Sequence, residues 1–241
     1  MGGYNWNWPI LFKEPYFTWI VTGFGKTILI AVLAWAIAFP LGSAIGIART
    51  TDNGALRLGG TVYVEIFRNV PLLVQMFLWY FVVPELLPAD WGHWVKRDMP
   101  YPQFLTAVIC LGLYTASRVA EQVRSGIEAI PRGQRNAGLA MGLTSLQVYR
   151  YVLIPVAYRT IIPPLTSDFL GVFKNSSLAL TIGVLELTSQ ARQIEEYTFA
   201  AFEAFTVATV LYCMVTGIVI LAMRMLERRT RIAGTIAVGA Q

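Results

Sequence analysis

A chain of 241 residues that is 56% hydrophobic and only 14% charged, with a mean hydropathy of +0.55, is excluded as a soluble globular domain, where about 25% of residues are charged. Its 19 Lys and Arg against 14 Asp and Glu leave a net charge of +5, and the excess collects in alternate loops, which excludes nucleic acid as the partner it serves. The single histidine, His93, excludes a multi-histidine metal site, and Cys110 and Cys213, each inside an apolar run, are expected as buried small hydrophobes rather than a disulfide or metal ligands.

The first 19 residues carry Trp6, Trp8, Tyr16, Phe17 and Trp19 but no basic stretch ahead of an apolar core. No cleavable signal peptide is expected there; the segment reads as an aromatic interfacial belt on the outer, periplasmic side. A bilayer core of about 30 Å takes about 20 apolar residues. Five stretches meet that requirement: 20–48, 61–83, 104–123, 161–185 and 199–223. None alternates with a period of two, so the expected fold class is an all-α membrane protein, a bundle of five transmembrane helices rather than a barrel.

Sorting the loop charges sets the expected orientation. One set of loops holds 11 basic residues (Arg49, Arg57, Arg124, Arg132, Arg135, Arg150, Arg159, Arg224, Arg228, Arg229, Arg231) against Asp52, Glu128 and Glu227. The other holds Lys13, Lys96, Arg97 and Arg192 against seven acids, Glu14, Glu85, Asp90, Asp98, Glu186, Glu195 and Glu196. The basic set is expected in the cytoplasm. The N-terminus then lies outside, and the C-terminus, with a tail at 232–241, inside.

The longest basic-side loop, 124–159, has helix signals. Pro131 suits the start of a helix, Gly142 a glycine stop, and Thr144 with Gln147 a capping box opening a second helix that Pro155 ends. On that second helix Leu146, Tyr149 and Leu153 are expected on one face. Two helices this short are marginal alone in water. Three readings stand: they pack only on their own helix ends, they form a DNA-binding helix–turn–helix, or they dock a cytoplasmic protein. The tight tether between spans and the scattered basic residues disfavour DNA.

The run Asn136-Ala137-Gly138, three residues, Gly142, nine residues, then Val152-x-Ile154-Pro155 resembles the cytoplasmic loop of ABC-transporter permeases. The family pattern there is Glu-Ala-Ala, then Gly, then Ile-x-Leu-Pro, so Asn136 replaces a carboxylate and Gly138 an alanine. Val64-Glu65-Ile66-Phe67-Arg68-Asn69-Val70-Pro71-Leu72-Leu73-Val74-Gln75 is similar to the second-span motif of polar amino-acid permeases, and Lys174-Asn175-Ser176-Ser177-Leu178 to their fourth-span polar patch. Ala120-Glu121, Arg124, Gly126-Ile127 and Arg132-Gly133-Gln134 resemble the approach to their loop.

The likeness is strongest to permeases of the glutamate/aspartate type. It implies the type I importer permease fold, a bacterial inner-membrane location and a coupling loop that contacts the ATPase through Asn136, Ala137, Gly138, Gly142, Leu146, Tyr149 and Pro155. It also implies three partners besides membrane lipid: an ATP-binding subunit acting as a homodimer, a second homologous permease and a periplasmic solute-binding protein. No cofactor is expected on this chain. ATP and Mg belong to the partner ATPase, since the chain lacks a Gly-x4-Gly-Lys-Ser/Thr phosphate loop.

Charge inside a span defaults to function. Lys26 and Glu203 lie near the outer span ends and are expected to snorkel. Glu65 and Arg68 are placed to pair with each other or to orient the loop, and Asp168 to neutralise Lys174. Arg118 has two readings: an i, i+3 pair with Glu121, or a guanidinium that takes the carboxylate of an acidic substrate. Lys174 falls near the midplane with Asn175, Ser176 and Ser177, and these residues with Arg118 and Gln75 form the candidate substrate set. An ion-coupled secondary transporter or channel is the competing class, but neither an ion site nor an inverted repeat is visible. No nucleophile–base pair supports an enzyme.

Overall fold

The computed structural model describes Tyr4 and residues 6–230; the expected tail and Arg231 lie outside the described residues. No strand occurs among the described residues. After a 3-10 turn at Trp8–Phe12 come α1 (Tyr16–Ala48), α2 (Gly54–Asn69), α3 (Leu72–Phe77), α4 (Val83–Leu86) and α5 (Ala89–His93). Then follow α6 (Pro102–Glu128), α7 (Arg132–Ala140), α8 (Ser145–Val148), α9 (Ile154–Asn175), α10 (Leu187–Thr198) and α11 (Ala201–Thr230).

The bundle is organised around α1 and α6. Along α1 the buried positions other than Ile30 are small: Gly23, Thr27, Ala31, Ala34, Ala38, Gly42 and Gly46 recur every three or four residues on one side. α6 answers with Gly112, Ala116 and Ala120. A Cβ built on Gly42 would lie 2.6 Å from the Ala116 carbonyl oxygen, and one on Gly46 2.7 Å from that of Ala120. Both partners advance by four residues together, so the two helices run parallel with their backbones in contact. Small residues drive such packing in lipid, where apolar area alone gives helices no preference for each other. α9 packs on α6 in the opposite direction: a Cβ on Gly126 would lie 2.4 Å from Ile161 Cγ2, while Arg118 further back along α6 meets Asp168.

Because α1 and α6 are parallel, the chain must return between them, and it does so through a break. α1, α6 and α11 are each long and apolar enough to cross a membrane alone. The stretch expected as one span at 61–83 is two segments, Gly54–Asn69 and Leu72–Leu86, meeting at 102°. Pro71 supplies the break: it donates no hydrogen bond and holds Val70 extended at φ −89°, ψ 127°. The expected span at 161–185 also differs. Its helix tightens to a 3-10 turn over Ser176–Ile182, stops at Gly183 (φ +87°) and restarts as α10 at 51°.

The acidic end is closed by two buried carboxylates. Glu186 caps α10, accepting from the Thr188 and Ser189 amides at 2.9 and 2.8 Å and from Tyr212 Oη at 3.0 Å. Glu203 does not snorkel as expected: it is fully buried and accepts from Tyr4 Oη and the Asn7 amide, which pins the N-terminal segment to α11. Cys213, expected inside, is exposed on α11, whereas Cys110 is buried.

The α1–α6 contact has a direct test. Gly42→Ala or Gly46→Ala forces a methyl against a backbone carbonyl and lowers the thermal midpoint in detergent, with overpacking on the order of 1–3 kcal/mol. Gly25→Ala on the same helix, where a Cβ would meet nothing within 4 Å, leaves the midpoint unchanged or raises it.

Candidate functional site

The 132–153 loop forms by local signals. Pro131 caps α7, and Gly142 at φ +85° ends it as the Leu143 amide reaches back to the Gly138 carbonyl and the Gly142 amide to that of Leu139. Thr144 and Gln147 then make both halves of a capping box on α8. Gly138 is buried against Val148, where a Cβ would lie 3.0 Å from Val148 Cγ2, so the valine fills the space an alanine methyl would take. The second helix does not stop at Pro155. A π turn over Tyr149–Leu153 carries it into α9 and through Pro155, whose missing N–H falls directly after that irregular turn.

That π turn redistributes the side chains. Leu146, Tyr149 and Leu153 do not share one face. Leu146 is 78% exposed, Leu153 is buried, and Tyr149 turns inward to donate to the Thr50 carbonyl at 2.7 Å. Asn136 and Ala137 are exposed on α7, with Leu139 and Met141 beside them. The outward surface of the loop therefore includes Asn136, Ala137, Leu139, Met141, Leu146 and Tyr151. Arg135 ties the loop to Asp52 at 2.6 Å.

The intramembrane charges pair across helices as well as along them. Arg118 Nε donates to Asp168 Oδ1 at 2.7 Å, and its expected pairing with Glu121 is replaced. Asp168 is nearly fully buried and its second oxygen has no partner, while the Arg118 side chain is half exposed. Asp168 thus neutralises Arg118 rather than Lys174. Glu121 is held by Arg49 at 2.6 Å, by Arg124, and more loosely by Arg68 at 3.5 Å. Glu65 accepts from Asn69 and not from Arg68.

The candidate substrate residues divide into three places. Asp168 and Asn175 lie seven residues apart on α9, about 20° from each other around the helix, whereas Lys174 lies about 120° away. Lys174 and Ser177 instead line a cleft of about 560 Å³ with Thr188, Tyr212, Cys213 and Thr216. Ser176 is buried and donates to the Phe173 carbonyl, and Ser177 donates to that of Lys174. Gln75 is buried at the α2–α3 break, where Nε2 donates to the Phe67 and Val70 carbonyls at 2.8 Å each. It satisfies the helix end that Pro71 opens. Among the described residues no group of His, Cys, Asp or Glu is placed to hold a metal ion.

Residues 38–232 match the family model for the binding-protein-dependent transport system inner membrane component. The chain belongs to this family. It is 48% identical over 240 residues to the glutamate/aspartate import permease protein GltJ of Escherichia coli, covering 96% of this chain and 98% of that one. It is 32% identical to the probable glutamine ABC transporter permease protein GlnM of Bacillus subtilis, covering 92% and 97%. Among solved structures, an amino acid ABC transporter crystallised with histidines superposes with a TM-score of 0.79 at 28% identity, covering 94% of this chain and all of that one. The MetNI methionine transporter shares the fold, with a TM-score of 0.76 at 20% identity. This inner-membrane permease is a transport subunit of the importer fold rather than an enzyme in its own right.

Sequence reasoning missed the turn between α1 and α2. Thr50 and Asp52 carried no motif, and only the folded contacts with Tyr149 and Arg135 single them out. The Arg118–Asp168 pair is testable by a double-mutant cycle on stability. Arg118→Ala leaves a buried carboxylate uncompensated and destabilises by about 1–3 kcal/mol. The double variant Arg118→Ala/Asp168→Ala recovers part of that loss in the detergent thermal midpoint.

Proposed function

We propose that this permease is one half of an ATP-driven importer that carries glutamate and aspartate across the bacterial inner membrane. The observation that carries the reading is 48% identity, over nearly the full length, to a glutamate/aspartate import permease. A separate ATP-binding subunit, present as a pair, supplies the energy. A second, homologous permease completes the path, and a periplasmic binding protein delivers the substrate. The basic loops face the cytoplasm, so the 132–153 loop meets the ATPase there.

Two features support these roles. The loop presents Leu139, Met141 and Leu146 to water, 40%, 75% and 78% exposed, which is apolar surface that a partner would cover. Asn136 lies on the same outward surface in place of a carboxylate, so this half docks without that ion pair. Within the bundle, Arg118 is the half-exposed cation, and a guanidinium offers a carboxylate two parallel hydrogen bonds. Asn175 lies on the same side of α9 as Asp168, the partner of Arg118. Lys174, in the cleft against α11, is a second cation along the path.

The complex reconstituted in proteoliposomes, with ATP inside and binding protein outside, accumulates labelled glutamate, and aspartate competes better than glutamine or histidine. Arg118→Lys retains a charge for Asp168 but loses the fork, and lowers uptake about tenfold per assembled complex. Uptake that persists without ATP would show an ion-coupled transporter instead. Normal glutamate uptake by both Arg118→Lys and Arg118→Ala would remove Arg118 from the path.

A further inference from the structure

The 132–153 loop packs inward on α6, with Val148 and Leu153 in one cluster with Val119, Val123 and Ile127, while its polar contacts converge on one turn, Arg49–Asp52, which joins α1 to α2. Tyr149 Oη donates to the Thr50 carbonyl at 2.7 Å and lies 3.2 Å from Thr50 Oγ1. Arg135 Nη2 sits 2.6 Å from Asp52 Oδ2. On the other side of the turn, Arg49 donates to Glu121 on α6 at 2.6 Å. Arg49 has no slack: it is only 9% exposed, and its Cγ lies 2.7 Å from where a Cβ on Gly60 of α2 would be. Glu121 in turn lies one helical turn along α6 from Arg118 and its partner Asp168 on α9.

We propose that the α1–α2 turn is the positioning element through which movement of the loop reaches the intramembrane ion pairs, with Tyr149, Asp52 and Arg49 as its contact residues. By chain connection alone, the loop pulls only on α6 and α9. Packing already carries α1 with α6 through Gly42 and Gly46, and the two contacts at Thr50 and Asp52 tie the loop directly to the end of α1 and the head of α2, so the four helices keep register as the loop is displaced. Without them the turn and the head of α2 follow the loop only through the packing of α1 and α2 on α6, and lag behind it. Hydrolysis then proceeds with less transport. This inference rests on the reading of the loop as the ATPase contact.

The test uses the whole complex in proteoliposomes and reads transported glutamate per ATP hydrolysed. In parallel it reads the thermal midpoint and a photo-crosslink to the ATPase from a benzophenone on Leu146→Cys, in a Cys213→Ser background. Tyr149→Phe removes one hydroxyl, and Asp52→Arg or Arg135→Asp alone breaks the ion pair. Each lowers the ratio by about threefold or more while the crosslink persists, and Asp52→Arg with Arg135→Asp together restores the ratio. An unchanged ratio in Tyr149→Phe and both single charge variants overturns the proposal. So does a double variant no better than the singles. Absence of the Leu146→Cys crosslink in the otherwise unaltered complex overturns the docking reading itself, and the relay with it.

Discussion

The contact on which the rest of the architecture depends is the glycine-mediated approach of α1 to α6. Gly42 and Gly46 sit against the carbonyls of Ala116 and Ala120, closer than any side chain permits. In lipid this packing replaces the hydrophobic drive that holds soluble helices together. Its consequences extend to both ends. At the basic end it brings Arg49 within 2.6 Å of Glu121 and so fixes where the α1–α2 turn emerges. At the acidic end the same face of α1 carries Thr27 to the Leu187 amide and lets Gly23 lie against Gln190.

Parallel α1 and α6 impose a return crossing, and the chain makes it with a bent pair rather than a rod. Pro71 is legible in the sequence as a break, because its ring removes a donor and holds Val70 extended. The 102° angle is not legible, because it depends on what α2 meets: Tyr63 Oη reaches the Leu113 carbonyl on α6 at 2.7 Å. Nor is the use of Gln75 legible from its position in a motif. A break in a membrane helix exposes carbonyls that no water satisfies, and Gln75 Nε2 takes two of them. Its Oε1 remains buried without a partner, so the residue keeps one acceptor beyond its capping work.

The loop shows where local reasoning holds and where it fails. Its two helices, its glycine stop and its capping box follow from near-neighbour chemistry at Gly142, Thr144 and Gln147, and each is in place. The facing of its side chains does not follow, because a regular period places Leu146, Tyr149 and Leu153 together, whereas the π turn at Tyr149–Leu153 rotates what comes after it. The charges fail in the same way. The i, i+3 rule pairs Arg118 with Glu121, but the fold gives Arg118 a partner 50 residues away and gives Glu121 both Arg49, 72 residues away, and Arg124 on its other side. Composition and loop charge indicate a helical membrane bundle; they do not indicate which buried acid meets which arginine.

The two ends of the bundle hold their acids in different ways: Glu186 and Glu203 are fully buried, whereas Glu121 is partly exposed. Glu186 is fixed by two backbone amides of its own helix and by Tyr212, and Glu203 by the Asn7 amide and Tyr4. A hydrogen bond is lost beyond about 3.5 Å, and Tyr212 at 3.0 Å and Thr27 at 3.4 Å are the side chains that tie Glu186 to other helices. Glu121 is held instead by three long arginine side chains from α1, α2 and α6, one of them already at 3.5 Å. An ion pair stretched from about 3 to about 4 Å keeps roughly three quarters of its Coulomb attraction, and a long side chain follows a moving neighbour by changing rotamer. The end beside the loop is thus joined by contacts that persist through movement. The opposite end is joined by shorter-range hydrogen bonds, so neighbouring helices can shift less there before a contact is lost.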